Sequence, residues 1–410
     1  MKTRWYKLDN AGTFYACLTN KRIPSVFRFT ASLKEDVDKD ILLKALKKTI
    51  SLLPNINVYL KAGFFWYYLE EVNNNVEVLE ENGRVCARVY SPKDPKLYRV
   101  TYYKNRINLE LSHVLSDGRG TLEILKVLVN NYLVLKYKLD IKVNENDSSL
   151  DEKIEDSFDK YYIKTEKLNV NNKNLYRYKK IKLTNHRINY YEAHMSAKKL
   201  LEIAHKYDAT ITTYLLGVLI YCIKEEMKTR ELEKNIKIDI PVDLRSYYKS
   251  YTLKNFFALA NIIYKVPNKK VNIEEIIKCV KKELKASLSE EKLAPRINKM
   301  ESFEKLMAAR LIPLLIKEVG INIIDYFTKS MSTTVLSNLG PVSFPKECEK
   351  YIDNLSCLTS TENFQFTVIS FKDDLCIGIS SRFYHNNIVK NFIRYLKSQG
   401  LDILVNTNEV

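Results

Sequence analysis

The sequence predicts a two-domain α+β protein, and three observations carry that expectation. The chain has 410 residues, more than one ordinary hydrophobic core organises at about 150 residues per domain. Strand pairs and long amphipathic helices follow one another in a similar order in its two halves, as two related α+β domains would. Between the halves, residues 140–174 (DIKVNENDSSLDEKIEDSFDKYYIKTEKLNVNNKN) are charged, Asn-rich and poor in apolar periodicity, which predicts a mobile linker or surface excursion. The expected division is therefore 1–139, 140–174 and 175–410.

Residues 41–53 (ILLKALKKTISLL) repeat apolar side chains at helical spacing, and Pro54 ends the run. Residues 56–60 and 64–69 are aromatic or branched and flank Ala62-Gly63, which predicts a hairpin. A second strand pair is expected over 98–103 and 107–111, followed by a long amphipathic helix over 121–137 opened by a Ser-Asp-Gly turn. The second half is expected to begin with strands at 175–183 and 188–195. Helices over 197–207 and 210–227 come next, then strands at 236–242 and 256–266. Helices over 273–288 and 303–327, strands at 332–336, 364–371 and 375–381, and a helix over 387–397 complete the order. No short-period repeat of the solenoid kind is present.

Composition excludes several classes. Hydrophobic residues make up 46% and charged residues 28%, so the chain can build cores and is not disordered throughout. Lys and Arg number 66 against 49 Asp and Glu, a formal net charge of +17. That charge suits anionic partners such as phosphates, cofactors or carrier proteins, although abundant Lys, Asn, Ile and Tyr also give it an origin in nucleotide composition. A nucleic-acid partner would rest on charge alone, with no recognition motif, and none is expected. The N-terminal MKTRWYKLDN lacks an apolar signal core. The longest apolar run, YLLGVLIYCI from Tyr214, is far short of the roughly 20 residues that span a bilayer. Seven scattered cysteines without a CxxC pair read as reduced thiols packed as small hydrophobes, and no zinc-ligand spacing exists. A cytoplasmic, metal-free protein without a membrane span is expected.

The chemistry concentrates in Ser112-His113-Val114-Leu115-Ser116-Asp117-Gly118, where a strand (INLELS) meets a loop and then a long helix. A histidine at a strand end can present its imidazole to a cleft, with an ordinary pKa suited to proton transfer near neutrality. Asp117 can fold back to hold the loop, and Gly118 is expected to permit a turn that a Cβ would obstruct. With five histidines, a chance H-x-x-x-D is expected about once in four such sequences. The following glycine lowers that to below about one in a hundred. The strand–loop–helix context narrows it further.

H-x-x-x-D-G in this setting resembles the signature of the chloramphenicol-acetyltransferase-like superfamily. That superfamily includes peptide-synthetase condensation domains, plant acyl-CoA acyltransferases and bacterial alcohol acyltransferases. Other stretches are similar to the bacterial alcohol-acetyltransferase branch: Leu8-Asp9-Asn10-Ala11, Gly63 to Leu69 (GFFWYYL), Pro241-Val242-Asp243-Leu244-Arg245 followed by Asn255-Phe256, and Ser337-Asn338-Leu339-Gly340. The resemblance covers nearly the whole chain. It implies two chloramphenicol-acetyltransferase-like domains, each a mostly antiparallel or mixed sheet with helices, and an active-site channel between them. It implies acyl transfer from a CoA thioester, acetyl or fatty acyl, to a small hydroxyl or amine acceptor, with acyl-CoA as co-substrate and no bound cofactor. His113 would be the general base, without a covalent acyl-enzyme, which fits the absence of a Ser or Cys nucleophile motif. Asp117 would pair with an arginine and shape the loop; Arg245 is the first candidate and Arg28 the second. Ser337 or Asn338 would supply the oxyanion donor.

Two departures matter. Condensation domains usually carry a second histidine where this chain has Ser112, and the DFGWG element of the plant enzymes is missing. Both favour a stand-alone O- or N-acyltransferase. Two alternatives stay open: a donor thioester held on an acyl carrier protein, and an inactive binding scaffold of the same fold, against which the intact His113-Asp117-Gly118 argues. His186, His194, His205 and His385 read as structural. The Trp66-Tyr67-Tyr68 cluster reads as core or cleft lining, and runs such as Lys269-Lys270 and Lys281-Lys282 as solvated helix faces.

Overall fold

A computed structural model describes residues 4–72, 76–91, 95–143, 148–162, 174–289, 291–293, 295, 312–328 and 332–409. The first lobe runs through β1 (Trp5–Lys7), α1 (Asn10–Leu18), β2 (Val26–Leu33), α2 (Lys39–Leu52), β3 (Val58–Ala62), β4 (Tyr67–Glu71), β5 (Leu79–Glu80), β6 (Tyr98–Tyr103), β7 (Arg106–Ser112) and α3 (Gly118–Tyr137). Two short helices follow, α4 (Leu150–Ile154) and α5 (Ser157–Lys160). The second lobe contains β8 (Asn189–Ser196), α6 (Ala197–Lys206), α7 (Ile211–Glu225), β9 (Asn235–Asp243), β10 (Phe257–Lys265), α8 (Ile273–Ser287) and α9 (Leu314–Thr328). It continues through β11 (Thr334–Val342), α10 (Lys346–Glu349), β12 (Ile352–Thr359), β13 (Phe364–Phe371), β14 (Asp374–Ser381), α11 (Asn387–Ser398) and β15 (Leu404–Thr407).

Asp38 starts α2 by accepting from the Ile41 amide, and Leu42, Ala45 and Leu46 recur at helical spacing on its buried face. That face packs with α3 over a five-stranded sheet of order β12-β2-β7-β6-β5. A small sheet of order β1-β4-β3 lies beside it. In the second lobe α7 is buried along almost its whole length, as its continuous apolar run requires. It packs with α6, α8 and α11 in the core of a seven-stranded sheet of order β10-β9-β11-β13-β14-β8-β15. The architecture is two-lobed α+β with antiparallel and mixed sheets, as the sequence predicts.

The lobes are stitched together by a strand. β12 lies within 175–410 in sequence but pairs antiparallel with β2, Ser356 opposite Thr30, as the edge strand of the first lobe's sheet. Polar contacts close the seam: Arg106 of β7 reaches Glu192 of β8 at 2.6 Å, and Ser356 donates to the same carboxylate at 2.5 Å. One strand of 175–410 thus completes the sheet of the first lobe.

Four expectations change. Residues 175–183 are extended but form no ladder strand. Tyr176 and Tyr178 are buried between exposed Arg177, Lys179 and Lys180, which gives a strand's period. The segment makes only isolated bridges, with Tyr176 N donating to the carbonyl of Asn235 at the start of β9 and Leu183 N to the Arg382 carbonyl just past β14. Part of 140–174 is docked rather than mobile. Ser149 and Glu152 form a capping box on α4, and Phe158 of α5 is fully buried with its ring 5.3 Å from that of Phe256; residues 163–173 lie outside the described residues. Of the helix expected over 303–327, the described part is α9, which begins after Pro313, and 303–311 lie outside the described residues. Strand β11 also runs past residue 336, through a bulge between Asn338 and Pro341 where Gly340 adopts φ +75°. Among the described residues no helix is long and apolar enough to cross a membrane.

Candidate active site

His113 follows the last residue of β7, and its amide donates to the Ser25 carbonyl at 2.7 Å. Its ring stacks on Tyr15 of α1, with centroids 3.8 Å apart and planes at 17°, and is flanked by Phe27 of β2 and Phe257 of β10. It therefore stands at the junction of the two lobes. The aromatic sleeve excludes water from most of the ring, and this burial pushes its pKa down to about 4 against the nearby Asp117 charge, which pulls upward. The imidazole is neutral at pH 7.

Its tautomer follows from one neighbour. Asn255 Nδ2 donates to both oxygens of Asp9, at 3.1 and 3.0 Å, and to the His113 carbonyl at 3.2 Å. That commitment turns Asn255 Oδ1 toward His113 Nδ1, 2.7 Å away. An amide oxygen only accepts, so Nδ1 carries the hydrogen and Nε2 keeps the lone pair. Asp9 is itself buried. It caps α1 by accepting from the Gly12 amide at 2.6 Å and also accepts from the Asn255 amide at 3.1 Å. Burial, aided by the charge of Asp156, pushes its carboxyl up to about 7.

Asp117 and Arg245 hold the loop that carries Asn255. Asp117 caps α3 through the Gly120 amide at 2.8 Å and accepts from the Phe256 amide at 2.7 Å. Arg245 meets it with both terminal nitrogens, at 3.0 and 3.3 Å. The same guanidinium donates to the carbonyls of Thr252 at 2.9 Å, Lys254 at 2.6 Å and Phe256 at 3.4 Å, so it organises the turn 252–256 around itself. Arg245 is the partner of Asp117. Arg28, the other candidate, is spent elsewhere, on Glu81 at 2.7 Å and Glu110 at 3.2 Å.

The glycine that close packing requires is Gly120, two residues past Gly118. Gly118 has an ordinary φ, and a Cβ there would make ordinary contacts with Leu339 at 3.5 Å and Phe27 at 3.7 Å. No turn requires it. Gly120 is the position where no Cβ fits, because Ser116 Oγ and the Leu253 carbonyl lie against its Cα. Those two groups are hydrogen-bonded to each other, so the start of α3 is clamped onto the Asn255 loop.

Ser337 and Asn338 separate. Asn338 Nδ2 donates to Thr212 Oγ1 of α7 at 2.8 Å and its Oδ1 accepts from the Gly340 amide at 2.9 Å. Both ends of that amide are occupied, and the residue shapes the bulge. Ser337 precedes the bulge of β11, and its hydroxyl has no hydrogen-bond partner among the described residues. Each of the seven cysteines has its thiol pKa raised by burial, Cys17 and Cys222 to about 12, so none is a thiolate at neutral pH. Among the described residues no group of His, Cys, Asp and Glu is placed to hold a metal ion. Of the other histidines, His194 pairs with Asp374 at 2.9 Å on the seven-stranded sheet, remote from His113 in the fold.

Sequence reasoning assigned no role to Tyr15, Asp9 or Asn255. Asp9 and Asn255 stood inside motifs that marked the resemblance. The spacing of 246 positions between them carries no local signal, and only the fold brings them together.

No family model and no curated protein matches the sequence. Solved structures match over nearly its full length. The first condensation domain of the calcium-dependent antibiotic synthetase, solved with a substrate analogue, is 10% identical with a TM-score of 0.64, covering 98% of this chain and 99% of that one. Trichothecene 15-O-acetyltransferase from Fusarium sporotrichioides is 9% identical with a TM-score of 0.62, covering 96% and 94%. A variant of the starter condensation domain of rhizomide synthetase, in complex with C8-CoA, is 11% identical with a TM-score of 0.60, covering 98% of each chain. The chain therefore has the two-lobed fold that condensation domains and chloramphenicol-acetyltransferase-like acyltransferases share.

Proposed function

We propose that this protein is an acyltransferase that moves an acyl group from acyl-CoA to a hydroxyl or amine, with His113 as general base. The observation that carries the reading is the neutral imidazole at the lobe junction, its Nδ1 held by Asn255 and its Nε2 left with a lone pair. An acceptor O–H or N–H placed at Nε2 gives up its proton as its heteroatom attacks the thioester carbonyl. The Ser337 hydroxyl is the donor available to the resulting oxyanion. Collapse of the tetrahedral species forms the ester or amide, breaks the C–S bond, and returns the proton from the imidazolium to the CoA thiolate. Raised thiol pKa values at every cysteine argue for this direct route over a cysteinyl acyl-enzyme. Asp117 and Arg245 take no part in the proton's path; they hold the loop that orients the base.

CoA as donor is supported by the complex of the rhizomide starter condensation domain with C8-CoA and by the net charge of +17, which favours a polyanionic donor. The test is release of CoA thiol from short- and long-chain acyl-CoAs in the presence of alcohol and amine acceptors. Turnover with acyl-CoA, lowered roughly 10²–10⁴-fold in His113→Ala at unchanged melting temperature, is the expected result. Wild-type turnover in that variant would remove His113 from the chemistry. Equal rates with acyl-CoA and with an acyl-pantetheine lacking the nucleotide would move the donor to a carrier protein.

A further inference from the structure

Away from His113, α9 presents its apolar side to solvent. Leu314 and Ile321 face inward and are buried, whereas Leu315, Ile316, Val319 and Ile323 are 75%, 62%, 60% and 53% exposed. Leu315, Val319 and Ile323 stand at spacings of four, so they form one stripe along the helix. The first turn of α9 is clipped to the tip of the β3–β4 hairpin: the Leu314 amide donates to the Phe64 carbonyl at 2.9 Å and Lys317 Nζ to the Phe65 carbonyl at 2.8 Å. At that tip Phe64 and Trp66 are themselves 73% and 54% exposed, and Lys317 lies over the Trp66 ring. Helix and hairpin tip thus join into one protruding surface of six bulky apolar side chains. Soluble proteins rarely leave such a patch uncovered unless it meets something.

The surrounding charge says what it meets. Arg4, Lys7, Lys61 and Lys317 lie on the small sheet and the first turn of α9. Lys61 is paired with Glu70, and Glu71 and Glu318 keep their charge while accepting from Tyr6 and Tyr67, so the positive surplus is that of the whole chain, +17. A second copy of the chain would bring another +17 to the contact and be repelled. An anionic lipid surface would be attracted, and aliphatic side chains beside Trp, Phe and Lys are the composition that settles at a headgroup boundary. We propose that α9 and the Phe64–Trp66 hairpin tip dock this protein on the surface of an anionic bilayer, peripherally and reversibly. α9 packs on α1, whose Tyr15 stacks on His113, so the docked lipid lies one helix away from the imidazole.

The test needs no turnover, so its outcome is separate from that of the proposed reaction. The chain has two tryptophans. Trp5 lies against Tyr68 of the same small sheet, ring centroids 5.2 Å apart, and Trp5→Phe leaves Trp66 as the sole reporter. Vesicles of equimolar phosphatidylcholine and phosphatidylserine should shift Trp66 emission to the blue and carry the protein upward in a flotation gradient. Vesicles of phosphatidylcholine alone should bind at least tenfold more weakly, and added salt should weaken binding to the mixed vesicles. Val319→Glu combined with Ile323→Glu, both at exposed positions, should abolish flotation while the melting curve stays that of the wild type. Phe64→Ser combined with Trp66→Ser is the independent second variant, read by flotation. No blue shift with mixed vesicles, or flotation that survives both double variants, overturns the proposal. A dimer in the absence of lipid that Val319→Glu with Ile323→Glu dissociates also overturns it, in favour of a second copy.

Discussion

Asn255 accepts from His113 Nδ1 at 2.7 Å, and this contact decides which imidazole nitrogen is free to act as a base. Its orientation is over-determined. The amide nitrogen cannot turn toward the ring without abandoning two bonds to Asp9 and one to the His113 carbonyl. Asp9 caps α1, which also delivers Tyr15 to the other face of the ring. The turn 252–256 that carries Asn255 is fixed by Arg245, which is fixed by Asp117. The aspartate of the H-x-x-x-D-G motif thus acts on the histidine from a distance, through a loop contributed by the other lobe.

Asn255→Ala should consequently lower kcat by roughly 10–10² with little change in KM, because a base released from its tautomer and orientation loses alignment rather than substrate contacts. Asn255→Gln, which keeps the amide, should recover part of the loss. Steady-state kinetics with thermal melts on the same preparations check this. A kcat equal to that of the wild type in Asn255→Ala would show that the contact does not position the base.

Much of this fold was legible because its main helices are amphipathic or continuously apolar and its strands are apolar runs bounded by turns. The helices α2, α7, α8 and α11 and the strands β6, β7, β13 and β14 fall close to their expected positions. What escaped is what joins the lobes. β2 (VFRFTASL) is buried on both faces and shows no alternation, so Phe27 and Arg28 had no assigned element. β12 (IDNLSCLT) carries Asp353 and Asn354 directly after its first residue and pairs across more than three hundred positions with β2. α1 (NAGTFYACL) is short and weakly patterned, which hid Tyr15. At the site, the H-x-x-x-D-G residues were legible as a local motif, whereas the Asp9–Asn255–His113 chain exists only through tertiary contacts. Gly118 drew attention by its place in the motif, and Gly120 was passed over because close approach of Ser116 and Leu253 leaves no mark in sequence.

Replacing Asp117 should cost stability as well as activity. Asp117→Ala removes one of the two carboxylates on the Arg245 guanidinium, leaving Asp243 at 2.9 Å, and uncaps α3, a loss of roughly 2–4 kcal/mol. Arg245→Ala should be similarly severe, and the double variant should be far less than additive, with a coupling of about 0.5–3 kcal/mol by urea denaturation. Asp117→Ala with Arg28→Ala should be additive, since Arg28 belongs to the separate Glu81–Glu110 group. Additivity in the Asp117–Arg245 pair would show that their contact contributes nothing.

The two glycines of the α3 start should behave oppositely. Gly120→Ala forces a methyl into Ser116 and the Leu253 carbonyl, and should destabilise the fold by roughly 1–3 kcal/mol. Gly118→Ala meets Leu339 and Phe27 at ordinary distances and should keep the melting temperature within a few degrees. Its methyl narrows the junction next to His113, so its effect should appear as a raised KM for bulky acceptors. Equal destabilisation by the two substitutions would contradict the packing described at Gly120.

Two buried groups near the junction pull the pH dependence of stability in opposite directions. His113 titrates at 6.5 in an unfolded chain and at about 4 when folded. Between those values the unfolded chain binds the extra proton, so this group makes stability rise with pH and fall on acidification below about 6.5. Asp9 titrates at 3.8 unfolded and at about 7 folded. Between those values the folded protein holds the extra proton, so Asp9 makes stability fall as pH rises toward 7. Each contribution is at most on the order of 3–4 kcal/mol, and across about pH 4 to 6.5 the two nearly cancel. Asp9→Asn keeps an acceptor for Asn255 and deletes the Asp9 titration, so the variant should lose urea resistance on acidification through that window more steeply than the wild type. His113→Ala should do the reverse and be more resistant at pH 5 than at pH 7, relative to the wild type. The same low His113 pKa requires that kcat/KM stay level from neutrality down to about pH 5, where a histidine of ordinary pKa would already have lost most of its base form. Urea midpoints of the three proteins across this range, with the kcat/KM profile of the wild type, check both statements. A rate profile that falls with a midpoint near 6.5 would place His113 in water rather than in its aromatic sleeve.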